Sequence, residues 1–227
     1  MRRGLLALLL AGAGLSALGT ATAFGQQEYR VEAVGTAAPG VAEAIGKALQ
    51  PQGARLMSSD GKTIAELWLR AVLPLQESAR EGSYGALAEG TLVGVLNFPQ
   101  GGSDFRGQTI QQGAYTLRYE RLPQDGNHLG AAPESHFLLL CPAAADQQLD
   151  ASFNFDSLAE LSRQASRTNH PAPLMLMTVS GTGEFPGIER NDLGHVALRV
   201  RPSAQEPGSL TPQDFPIAIV LVGKAEL

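Results

Sequence analysis

The chain has one cysteine in 227 residues, Cys141, so no disulfide can form within it and paired-cysteine metal sites are excluded. One tryptophan, Trp68, and four tyrosines are too few for the flat aromatic platforms that sugar-binding modules present. Strong charge of one sign is missing too: 17 Lys and Arg stand against 22 Asp and Glu, a formal −5. That balance argues against nucleic acid or anionic lipid as a partner. Long apolar runs are absent apart from Leu5 to Leu18, which follows Arg2 and Arg3 and precedes Ala21 and Ala23. This is the form of a secretory signal peptide, shorter than a membrane span, with its cut expected after Ala23. The expected organisation is a signal peptide over residues 1–23 and a single domain over 24–227, periplasmic or secreted, with no membrane span after cleavage. Loss of Arg2 and Arg3 takes the charge from −5 to −7. The remaining domain, about 200 residues, is long enough to build an apolar core without disulfides.

What is present is strand periodicity. Around Asp60-Gly61, a dipeptide suited to a tight turn, two strand-like runs predict a hairpin. In its second arm Ala65, Leu67 and Leu69 alternate with Ile64, Glu66, Trp68 and Arg70. The run from Tyr115 to Glu120 sets Tyr115, Leu117 and Tyr119 against Thr116, Arg118 and Glu120, which predicts an antiparallel strand with one wet face. Near the end, Val196, Leu198 and Val200 are expected inward, with His195, Ala197, Arg199 and Arg201 outward. Runs such as SHFLLLC and PLMLMTV are apolar at every position and predict buried strands. Helical spacing occurs twice, at Val41, Ala44, Ile45, Ala48 and Leu49, and at Leu158, Leu161 and Ala165. For the second helix Asp156 or Ser157 is the expected cap, with Glu160 completing a capping box. Eight to ten strands and two short helices, without strand–helix alternation, predict a mainly β fold: an antiparallel β-sandwich, immunoglobulin-like or jelly-roll-like.

The catalytic signatures are missing. EGSYGA and QGGSDF lack the glycine register of a nucleophile elbow, and GTGEFPG lacks the third glycine of a nucleotide loop. No HExxH zinc helix or EF-hand loop occurs. Cys141 stands too far from His170 and Met175 for a blue-copper loop and is expected to be core. Glu77, Glu81 and Glu89 are scattered carboxylates, which are usually solvated. No cofactor is required, and the enzyme reading is the weaker one.

One connection stands out. Between the strand ending near Glu120 and the one beginning near Ser135 lie about fourteen residues, well past an ordinary hairpin loop. Loops of that length are packed for their own sake or used for binding. Asp125 and Gly126 make a turn, Asn127 braces it and His128 projects from it. With His136 at the next strand and Asp104 and Arg106 in the preceding loop, these residues are the candidate ligand-binding set: Asp104, Arg106, Asp125, Asn127, His128 and His136. The expected function is a non-enzymatic module that binds a small ligand or an envelope protein. The alternative is a metal-binding protein or metal-dependent hydrolase using Asp125, His128 and His136.

The segment GAYTLRYERLPQDGNHLGAAPESHFLLL resembles a family of uncharacterised exported bacterial proteins that share a GxYTLRY strand, a PxDGxHxG turn and an apolar FLLL strand. The resemblance extends from the GKTIAELWLR hairpin to HPAPLMLM. It implies export and a β-rich fold, and it brings no catalytic residue with it.

Overall fold

The computed structural model describes residues 28–77, 84–123, 126, 128 and 132–225. The expected signal peptide, Glu81, Asp125 and Asn127 lie outside them. The first half of the described chain holds β1 (Arg30–Val34), α1 (Glu43–Ala48), β2 (Gly53–Met57), β3 (Thr63–Leu69), β4 (Val72–Pro74), β5 (Leu92–Phe98), β6 (Gly102–Ser103) and β7 (Thr109–Ile110). The second half holds β8 (Gly113–Arg121), β9 (His136–Pro142), α2 (Phe155–Ser166), β10 (Pro173–Met177), β11 (Gly187–Arg190), β12 (Val196–Val200), β13 (Ser203–Gln205), β14 (Gln213–Asp214) and β15 (Ile217–Val222).

Ten strands form one sheet in the order β1-β2-β3-β5-β8-β9-β10-β15-β12-β11, each antiparallel to its neighbours. The mainly β, antiparallel character is as expected. The division into two facing sheets is not clearly there, because the single sheet curls until β1 comes against β11 and is nearly barrel-shaped. At that seam the Arg190 guanidinium lies 5.2 Å from the Tyr29 ring centroid. Among the described residues no helix is long and apolar enough to cross a membrane.

Period-two alternation carries one side chain in two to the interior. Leu56, Leu67, Leu96, Leu117, Leu140 and Ile219 are among those that meet there. The Asp60 hairpin forms as expected, with Ala65, Leu67 and Leu69 inward and Trp68 outward. Trp68 is nevertheless buried, packed with Ile45 of α1 and donating its indole N–H to the Thr36 carbonyl at 2.8 Å.

The outer face is covered in the same way along much of its length. The short α1 lies over Trp68 and Val95, and α2 lies over Leu139 and Cys141 through Leu158. Phe105 packs on Phe137, Met175 and Ala218. These covers correct the expected wet face of β8: Thr116 and Arg118 are fully buried and Glu120 is nearly so. A segment running from Asp146 to Phe153 closes over Thr116 and Arg118. The Asp146 carboxylate takes Arg118 Nε and Nη2 at 2.7 Å each, and the carbonyls of Gly90, Gln148 and Leu149 accept the remaining guanidinium N–H groups. All five donors are therefore satisfied, which is the condition for burying a guanidinium without a large penalty.

A second correction concerns β12. His195 and Arg199 are buried, and only Arg201 of the expected polar trio stays open to solvent. His195 is held between Asn191 and the Lys224 carbonyl, at 3.1 and 3.2 Å, with its ring edge-on to Phe105. The α2 cap also differs: it is Asn154, ahead of both Asp156 and Ser157, and Ser157 rather than Glu160 completes the box. Asn154 accepts from the Ser157 backbone N–H at 2.9 Å, and the Ser157 hydroxyl accepts in return from the Asn154 N–H at 3.1 Å. Asn154 wins because an amide oxygen three residues ahead reaches the N–H that Asp156, already inside the helix, cannot.

Candidate functional site

The 104–108 loop is shaped by its own sequence. Asp-Phe-Arg-Gly places Asp first and Gly fourth in a β-turn, the order such turns favour, and Gly107 takes the positive φ of 81°. Gly107 N–H closes the turn on the Asp104 carbonyl at 3.0 Å. The Asp104 carboxylate accepts the backbone N–H groups of Arg106 and Gln108 at 2.9 and 2.8 Å, and the Gln108 amide at 2.5 Å. Burial pushes this carboxyl up from its usual value, and these donors pull it partly back. Two more bonds tie the loop down: Phe105 N–H to the Pro173 carbonyl, and Ala225 N–H to the Phe105 carbonyl, both 2.8 Å.

The loop so fixed overhangs the outer face of β8, β9 and β10. Between them lies a pocket of about 90 Å³. Phe137, Leu139 and Pro173 form its sheet side, Leu122 and Ala132 come from the β8–β9 connection, and Phe155 stands at α2. Phe155 is 41% exposed, one of few large apolar side chains left to solvent. Among the described residues the polar groups at the pocket are Arg106, Glu120, His128 and His170; Arg121 borders it, but it pairs across from His136 and its side chain belongs to the other face of the sheet. Glu120 is 5% exposed, and desolvation raises its carboxyl above the usual range despite the Arg121 N–H it accepts at 2.9 Å.

Of the expected set, Arg106 and His128 meet at this pocket. Asp104 does not line it; it braces the loop from behind. His136 is elsewhere. Its neighbour Phe137 faces the pocket, so His136 points to the opposite face of the sheet, where its ring stacks on Tyr119 and meets the edge of Tyr84. Tyr119 Oη lies 2.8 Å from His136 Nδ1, and burial holds the imidazole below its usual value, with the Arg121 charge adding to the effect. A neutral ring protonated at Nε2 accepts this hydrogen bond at Nδ1, the tyrosine O–H donating. Of the residues of the metal reading, His128 and His136 are not gathered: His128 lines the pocket and His136 faces the other side of the sheet, while Asp125 lies outside the described residues. Among the described residues no group of three His, Cys, Asp or Glu side chains is placed to hold a metal ion.

Glu120, Phe155 and His170 were missed by sequence reasoning. Glu120 was read as a solvated strand position and His170 as too distant from Cys141 for a copper loop; only the folded chain brings them together. Cys141 is fully buried with its thiol pushed up by desolvation, so it offers no nucleophile. Trp68 and all four tyrosines are buried or half-buried, which leaves no exposed strip of these rings for a sugar. No family model, curated protein or solved structure matches the chain.

Proposed function

We propose that this protein is an exported, non-enzymatic binding module of the bacterial envelope, and that it contacts its ligand or partner at the pocket between the 104–108 loop and the outer face of β8, β9 and β10. The observation that carries the reading is a partly open apolar pocket with Arg106, Glu120, His128 and His170 around it and an exposed phenylalanine beside it. Binding sites combine apolar walls with a few convergent polar groups in this way. At about 90 Å³ the pocket is smaller than a typical drug-sized site. It suits a small ligand or one protruding side chain of a partner protein. The N-terminal run with its Arg pair supports export, and the likeness to exported β-rich proteins points the same way.

Ala132→Trp tests the reading by filling the pocket from its half-buried wall. Native mass spectrometry of protein purified from the envelope, with and without this substitution, should show a bound species lost from the variant while its melting temperature is kept. Retention of the same species by a folded variant would place binding elsewhere.

A further inference from the structure

The SGTGEFPG run, residues 180–187, is no nucleotide loop, but it folds over one side chain, Arg199 of β12. A Cβ at Gly183 would run into Arg199 Nη1, and one at Gly187 would crowd its Cγ and Cδ, so glycine at both places lets the backbone close on the guanidinium. The Phe185 ring centroid lies 4.6 Å from Cζ. Under this cover Arg199 is 6% exposed. Nη1 reaches Glu189 Oε2 at 3.1 Å, while Nε and Nη2 are shielded from solvent and have no hydrogen-bond partner. Stacking on Phe185 engages the face of the guanidinium plane and leaves this edge of paired N–H donors unused. A buried charged donor left unpaired carries its full desolvation penalty. Arg118 shows what satisfies the same edge in this fold: its Nε and Nη2 take the two oxygens of the Asp146 carboxylate at 2.7 Å each.

The cover is lightly tied. Among the described residues no backbone–backbone hydrogen bond holds residues 178–186 to the rest of the chain, and the Ser180 hydroxyl donating to Glu189 Oε1 is the side-chain tie. Thr182, Gly183 and Glu184 are exposed. A second guanidinium, that of Arg201, lies 4.0 Å from the same Phe185 ring, and its pair with Asp214 at 3.3 Å is a weak, exposed one. From the unpaired edge we propose that Arg199 and its glycine cover form a second binding site, which takes a carboxylate edge-on when residues 180–186 lift. Arg199, Glu189, Gly183 and Phe185 do not line the pocket under the 104–108 loop, so this site stands or falls independently of the function proposed above. The same chemistry is offered by a small free acid and by an Asp or Glu side chain of a partner protein.

Nitrogen-15 NMR of the full mature chain tests this through the Nε–H signals of Arg199 and Arg118, each assigned through the bonds of its own side chain. Acetate at constant ionic strength should shift the Arg199 signal saturably, while acetamide and chloride leave it in place and Arg118, its edge already filled, does not move. Arg199→Lys keeps the charge without the paired donors and should weaken acetate about tenfold, read on the Phe185 ring protons. The Arg199 Nε–H should exchange with solvent faster than that of Arg118, and Ser180→Ala should speed it further. A blocked Gly-Asp-Gly peptide that binds more tightly than acetate assigns the site to a partner's side chain; equal or weaker binding assigns it to a free acid. An Arg199 signal that acetate leaves in place, or moves no more than chloride does, overturns the site. Glu184→Gln overturns it too if that change alone moves the Arg199 signal, since the cover's own carboxylate is then the partner. Exchange at Arg199 no faster than at Arg118 overturns the opening on which entry depends.

Discussion

Arg118 shows how far a single side chain can depart from what its neighbours in sequence suggest. It lies in a strand of alternating pattern, at a position that reads as solvent-facing, yet it is fully buried against an aspartate 28 residues away. Removing one partner of a buried pair leaves an uncompensated charge, so Asp146→Ala should cost about 3–5 kcal/mol in urea unfolding. Replacing both residues by apolar ones, Arg118→Met with Asp146→Leu, should cost less than Asp146→Ala alone, since no charge is then stranded. At His136 the expected effect is one of pH. Its folded-state value is held below the usual 6.5, so as pH falls through that range the unfolded chain takes up the proton first. Stability contributed by the neutral imidazole is complete above about pH 7 and is lost as pH drops below 6.5 toward the lowered value. Asp104 and Glu120, whose values are raised, act in the opposite sense: their contribution is lost as pH rises through the carboxylate range. Comparing wild type with His136→Gln isolates the imidazole. The stability difference between them should be flat at neutral pH and shift against the wild type in mild acid; a difference that does not vary with pH would remove the assignment.

Among the elements, α2 and β5 are the most exposed to test. Asn154 and Ser157 satisfy each other's backbone N–H groups at the start of α2, so Asn154→Ala should lower stability by about 1 kcal/mol in chemical denaturation. The effect should be larger than for Phe155→Ala, whose side chain is partly in solvent. In β5, Gly94 sits at a register shift beside β8, and a Cβ there would run into the Trp68 carbonyl. Gly94→Ala therefore has to displace strand backbone and should destabilise the sheet by several times the cost of the cap variant, measured in the same unfolding experiment. The β8–β9 connection was legible as unusual from its length alone, and its His128 does line one pocket with Arg106. His136 was not placed correctly because one step along a strand reverses the face, and its turn-side position hid that reversal. Glu120 and His170 gave no local signal at all.

At the scale of the whole molecule, a sheet whose interior core runs from β2 to β15 has no natural place to divide. Trp68, the one tryptophan, packs on the outer face under α1, while the far-ultraviolet signal reports the strands as a whole. Their denaturation curves should coincide, as expected for a single cooperative unit. Cys141, buried under α2, should react with a thiol reagent at the rate of unfolding, and faster labelling would show α2 lifting by itself.

The amino-acid sequence alone determined where most strands lie and which of their side chains face the interior, because a period of two is a property of the local backbone. It also marked the turn chemistry at Asp60-Gly61. What only the tertiary structure decided is the fate of the other face. Whether Arg118, Glu120 or His195 meets water depends on segments tens of residues away that fold over them, and no local period encodes their arrival. The curl of one sheet into a near-barrel was decided at the same level, since alternation is identical in a sandwich and in a barrel. The pocket shares that origin: its polar groups come from a loop, a strand end, a long connection and a turn, brought together only when the outer face is covered.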